Sequence, residues 1–244
     1  TWGGPNWYCE LGGDNKLKVS AINISETFNY SILKGLKFSA TAGYNTSTAT
    51  RDTQQKSIEW YNYAGDQLVR TSPTDAESSY TKTNARTDFY SVSGHLEWSH
   101  LFADVHDVKV MVGSQYNMKE YEYTYIRAMG ILPSLEIPNS KDGLIYLTSD
   151  DKKTNSSKWQ EAVLSYFGRA NYNYRSKYML EGQFRYDGSS KFQPENRWAF
   201  YWGVSGGWRL SEEAFIKKLN FIDELKLRAS YGSVGNQSGI DRYD

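Results

Sequence analysis

Between residues 178 and 187 the chain reads YMLEGQFRYD. Tyr178, Leu180, Phe184 and Tyr186, with Gly182 among them, fall on one side of a two-residue repeat. Met179, Glu181, Gln183, Arg185 and Asp187 fall on the other. An extended chain sends successive side chains to opposite faces, so the pattern predicts a strand with one apolar and one charged face. The alternation recurs at 197–210, where Trp198, Phe200, Trp202, Val204, Trp208 and Leu210 oppose Tyr201, Ser205 and Arg209. It recurs again at 162–174, and at 225–231, where Leu225, Leu227 and Tyr231 oppose Lys226 and Arg228. Apolar faces also run along 36–44, 90–98 and 108–118. Over 17–30 the apolar phase shifts from Leu17, Val19 and Ala21 to Ile22, Ile24, Phe28 and Tyr30, which predicts a bulge.

Eight strands of about 10–20 residues result, longer than the ~5–6 usual in soluble sheets. The connections alternate in length. Short turns fall near 31–35, 103–106 and 175–177, and long polar segments near 51–85 and 128–157, with a shorter one at 188–196. One short-side segment, 211–223, places Phe215, Leu219 and Ile222 at helical spacing and predicts a helical turn or two. Threaded this way, Trp98, Tyr172, Tyr174, Tyr178 and Trp208 gather at the short-turn end of the apolar face. Tyr44, Tyr90, Tyr116, Tyr186 and Trp198 gather at the long-loop end. Two aromatic belts around an apolar band, with loops long on one side only, describe a membrane-spanning barrel wall.

The competing architecture is a soluble or surface-attached β-sandwich that binds glycans and packs the same apolar faces against each other. Energetics separates the two faces. Arg or Lys against lipid at mid-membrane costs about 2–4 kcal/mol each. Glu181, Gln183, Arg185, Lys226 and Arg228 are therefore expected to line a wet lumen, and Leu180, Phe184, Trp202, Val204 and Leu227 to face lipid. A sandwich would instead cover the second group with another sheet.

Composition agrees with a β protein: 16% aromatic, 20 Tyr and 8 Trp, but only 5 Pro. Mean hydropathy is −0.68, and no apolar run approaches the ~20 residues of a membrane helix. Balanced charge, 28 basic against 28 acidic residues, argues against nucleic-acid binding. The single Cys9 makes no internal disulfide. His95 and His100 point to opposite faces of one strand, and no ligand set for a metal surrounds them. The segment DGSSK at 187–191 lacks the helix that a phosphate cradle needs. No nucleophile–base arrangement occurs, so the sequence reads as neither an enzyme nor a cofactor protein. Trp60, Tyr61, Tyr63 and Tyr80 lie in a predicted loop, where aromatic faces commonly bind ligands.

The stretch from YNYRSKYMLEGQFRYDGSSKFQPENRWAFYWGVSGGWRLSEEAF to LKLRASYGSVGNQ, covering 172–237, resembles the SusC/RagA-type TonB-linked outer-membrane transporters. The shared elements are Arg185–Phe192, Asn196–Arg197, Gly207–Trp208–Arg209, Ser211–Glu213, Leu227–Gly232 and Gly235–Gln237, in order at fixed spacing. The resemblance implies part of a 22-stranded barrel in a Gram-negative outer membrane, enclosing a plug. It implies import of oligosaccharides or peptides, a SusD-like lipoprotein cap, and energy from the TonB–ExbB–ExbD complex. Neither a plug, a TonB box nor a closing strand is recognisable, so residues 1–244 read as a single partial barrel domain. A passive porin is the remaining membrane alternative.

Overall fold

The computed structural model describes residues 12–71, 78–129, 154–218 and 222–235. Ten strands follow in chain order: β1 (Asn15–Leu33), β2 (Leu36–Gln55), β3 (Glu59–Tyr61), β4 (Leu68–Thr71), β5 (Ser79–Phe102), β6 (His106–Met129), β7 (Thr154–Tyr174), β8 (Tyr178–Ser189), β9 (Trp198–Arg209) and β10 (Lys226–Gly232). Eight form one antiparallel sheet in the order β1-β2-β5-β6-β7-β8-β9-β10, each beside its neighbour in sequence. The other two, β3 and β4, pair as a small hairpin inside the β2–β5 connection.

The turns are short where the sequence predicts them. Ala103 and Asp104, like Arg175 and Ser176, take positive φ, as the central residues of a tight hairpin must. In the β1–β2 turn Gly35 has φ +85°, and an added Cβ would press into the Ser99 carbonyl oxygen. Gly35→Val is therefore expected to lose roughly 1–2 kcal/mol to backbone handedness alone, with the clash in addition. Its signature is a reduced folded, heat-modifiable fraction of the complete protein in membrane preparations.

The phase shift along β1 is not a bulge. Asn15 meets Thr53, Thr27 meets Thr41 and Asn29 meets Ser39, and these pairs keep one register from end to end. The apolar residues simply change sides: Leu17 and Val19 stand with Asn15, whereas Ile22, Ile24 and Phe28 stand opposite. The described part of the 211–223 segment holds the helical turn or two that its spacing predicts. A 3-10 turn spans Leu210–Glu212, followed by one further hydrogen-bonded turn from Glu213 to Lys217. Leu219 lies outside the described residues.

The chain divides into two compact units, 1–22 with 45–88 and 120–159, and 23–44 with 89–119 and 160–244. In the first, Thr50 bonds Asn84 at 3.2 Å, and Ile58 is buried. Ile58 is the one buried apolar side chain among the described residues. In the second, the fully enclosed side chains are serines, Ser165 and Ser189. Among the described residues there is no dry sandwich core. Leu180 is 55% exposed, Phe184 43%, Trp202 42% and Leu227 56%, and among the described residues no second sheet covers them.

Candidate functional site

Register brings the apolar residues of the second unit onto one continuous surface. Phe184 pairs with Trp202, Leu180 with Gly206, and Gly182 with Val204; Trp208 then pairs with Leu227 of β10. Glycines let the rings lie flat. A Cβ on Gly168 would come within 2.5 Å of the Phe184 ring, and one on Gly188 within 2.8 Å of Trp198. Each ring covers the glycine on its neighbouring strand, so the surface stays paved although the small residues contribute little area.

Aromatic rings close both ends of this band. At the short-turn end His106, Tyr174, Tyr178 and Trp208 follow one another at centroid distances of 5.0, 6.2 and 6.3 Å. At the other end Tyr186 stacks on Trp198 at 4.8 Å and Tyr44 meets Tyr90 at 5.0 Å. Trp198 and Trp208 stand ten positions apart on β9. At about 3.3 Å per residue and a tilt of ~40° that spans about 25 Å of depth, the height of the apolar band of an outer-membrane barrel. Glu213 fastens the short-turn belt: it accepts from the Tyr178 hydroxyl at 2.7 Å and from Trp208 Nε1 at 3.2 Å. These two hydrogen bonds hold its carboxyl below the usual carboxylate range.

The opposite face is polar and internally bonded. Arg185 donates through Nε to both Asp187 oxygens, at 2.7 and 3.0 Å, and through Nη2 to Ser165 Oγ at 2.8 Å and Gln115 Oε1 at 3.4 Å. One guanidinium thus ties three strands, β6, β7 and β8. Gln183 lies over Gly203, and Lys226 points its ammonium at the Met179 sulfur, 3.0 Å away. Glu181 pairs in register with Asn171 and Ser205, and Arg228 with Gly207. Burial is inverted relative to a soluble sheet, since along β9 every apolar even position is exposed and every odd position half-covered. Asp187, Ser165 and Gln115 gave no sign in the sequence of acting with Arg185, because that cluster exists only once three strands are in register.

The four predicted loop aromatics do not form one cluster. Trp60 and Tyr61 belong to β3, where Arg70 of β4 lies over the Trp60 ring at 5.3 Å and Glu59 accepts from Tyr61 at 2.7 Å. Tyr63, in the hairpin turn, is fully exposed. Tyr80 begins β5 and donates to Asp52 at 2.5 Å. Tyr80 is thus held in the wall, and only Tyr63 projects freely. A further aromatic pair, Tyr121 on Trp159 at 5.2 Å, joins β6 to β7. Its signal was the alternation YEYTY at 121–125. Among the described residues no group of acidic, histidine or cysteine side chains could hold a metal.

Comparison with known proteins places this geometry. The family model described as "TonB dependent receptor-like, beta-barrel" matches residues 3–244. The chain is 27% identical to TonB-dependent receptor P26 of Formosa agariphila over 261 aligned positions, covering 99% of this chain and 24% of the relative. It is 39% identical to TonB-dependent receptor SusC of Bacteroides thetaiotaomicron over 79 residues, 32% of this chain and 8% of that one. A solved structure of the RagAB peptide transporter superposes with a TM-score of 0.79 at 21% identity, over 98% of this chain and 25% of that chain. The chain spans about a quarter of the length of P26 and of the matched RagAB chain.

Proposed function

Since the chain belongs to the TonB-dependent receptor-like β-barrel family and is a piece of an outer-membrane barrel, we propose that it forms part of the wall of an active importer of large nutrients. The single observation behind this reading is the division of one sheet between a bonded polar face and an exposed apolar face. In the proposed assembly lipid covers Leu180, Phe184, Trp202, Val204 and Leu227. Water fills the other side, against Glu181, Gln183, Arg185, Lys226 and Arg228. Hydrocarbon accepts the first set without penalty, whereas cations at mid-membrane cost about 2–4 kcal/mol each.

In this reading a hydrated oligosaccharide or peptide passes along the polar wall. The Tyr63 hairpin meets it outside, with Trp60, Tyr61 and Tyr80 stiffening that region. A SusD-like lipoprotein covers the barrel, and the TonB–ExbB–ExbD complex supplies energy from the inner membrane. Relatives named SusC and RagAB support the partner assignment by their similarity. No bond of the nutrient is made or broken.

Deletion of the complete receptor gene in its host is expected to abolish growth on one polymeric nutrient while sparing growth on its monomer. Loss of TonB should give the same phenotype. Growth on the polymer that persists without TonB would mark a passive pore and overturn the reading.

A further inference from the structure

On β8, Arg185 stands in register between Phe167 of β7 and Tyr201 of β9. All three occupy odd positions of their strands, as do Gln183 and Arg169, so they share the polar side. Arg169 pairs with Gln183, which makes it the diagonal neighbour of Arg185. Diagonal positions lie about 7–8 Å apart, within reach of long side chains, so two guanidiniums can converge on one point. These residues line a cavity of about 490 Å³, the size of a small-ligand site. The chain after β10 forms part of its wall: the Ser233 N–H donates to the Trp202 carbonyl at 2.8 Å, and Gly235 lies against the Tyr201 ring.

The donors here are not all engaged. Arg185 commits Nε to Asp187 and Nη2 to Ser165 and Gln115, which leaves Nη1 without a partner among the described residues. Arg169 is exposed, and among the described residues its guanidinium bonds to nothing. Asp187 is the one carboxylate lining the cavity, and Arg185 already holds both its oxygens. The same imbalance holds beside it. An adjoining cavity of about 270 Å³ sets Lys109 and Arg169 against Glu97, and another sets Lys226 and Arg228 against Glu181. Neither Glu97 nor Glu181 forms an ion pair with Arg169 among the described residues. Like charges on neighbouring strands repel, and an anion between Arg169 and Arg185 relieves that repulsion. Planar forked donors between two flat rings match a planar acceptor with two oxygens.

We propose that this cavity binds a carboxylate of the imported solute, with Arg169 and Arg185 Nη1 donating to its oxygens and the Phe167 and Tyr201 rings on either flank. The importer reading supplies the source of the carboxylate, whichever polymer carries it; the site itself rests on the geometry.

The test is binding of short oligomers to the purified complete receptor. The probes are uronic-acid oligosaccharides and glutamate-containing peptides, each beside the same oligomer with every carboxyl converted to an amide. At least one acid should bind, and roughly tenfold or more tighter than its amide. Arg169→Gln should weaken that acid about tenfold and leave the amide unchanged, while Arg169→Lys should lose less. Lys37→Gln, which removes a cation from β2, should change neither. Heat-modifiable mobility reports the folded fraction of each variant. Failure of every acid to bind, equal binding of acid and amide, or an acid indifferent to Arg169→Gln would each overturn the site. A fall in the thermal stability of Arg169→Gln with no probe present would place a carboxylate of the receptor itself in the cavity and overturn its assignment to the solute. Binding is measured without TonB, so a passive pore would defeat the importer reading and leave this result standing.

Discussion

Phe184→Arg in the complete receptor is expected to remove most of the protein from the outer membrane, whereas Gln183→Arg, one residue away, leaves its level nearly unchanged. Phe184 sits mid-band on the apolar surface, 43% exposed, paired with Trp202 and spread over Gly168. A guanidinium there costs about 2–4 kcal/mol against lipid, and the cover over Gly168 is lost as well. Gln183 points to the polar side above Gly203, where a longer cation meets water. Quantitative blotting of outer-membrane fractions, with heat-modifiable mobility as the folding assay, separates the two variants. Equal tolerance would contradict the assignment of faces.

Arg185→Leu is expected to loosen the polar wall without exposing it to lipid. The substitution strands Asp187, whose side chain is 15% exposed, and Ser165, which is fully buried. Unpaired buried groups cost about 1–3 kcal/mol. The Arg185 side chain is itself 41% exposed, so solvent screening favours the lower half of that range. Adding Asp187→Asn should recover part of the loss, because the uncompensated carboxylate is gone; coupling between such neighbours is about 0.5–3 kcal/mol. Arg185→Lys should restore little, since an ammonium cannot replace the fork that grips Asp187 while reaching Ser165 and Gln115. Thermal denaturation of the detergent-purified receptor measures all four states. A double variant no more stable than Arg185→Leu alone would show that the cluster is not coupled.

The fold was legible wherever one face is apolar. Every strand of the main sheet after β1 shows alternation, from the Leu36–Tyr44 stretch to Leu227–Tyr231. Strand ends were less visible: β5 begins at Ser79, yet its apolar alternation starts only near Tyr90. Before that point Lys82, Asn84 and Arg86 hold the positions in phase with the later apolar ones, so pairing continues after the hydrophobic signal has gone. The β3–β4 hairpin is three and four residues long and leaves no period to detect. On β1, a change of side by the apolar residues imitates a bulge, and only the cross-strand partners distinguish the two. The polar face was readable one residue at a time, but the Arg185 cluster depends on a register among strands far apart in sequence. Trp60 and Tyr80 read as loop ligand contacts because sequence shows aromatic character without showing Arg70 or Asp52 beside them.

The decisive measurement is a spin-label accessibility scan along β8 and β9 of the complete receptor in outer membranes. Labels at 180, 184, 202 and 204 should collide with oxygen dissolved in the bilayer, and labels at 181, 183, 201 and 205 with a water-soluble nickel chelate. The two signals should alternate with a period of two. Protection of the even positions from both reagents would mean that polypeptide, and not hydrocarbon, covers the apolar face.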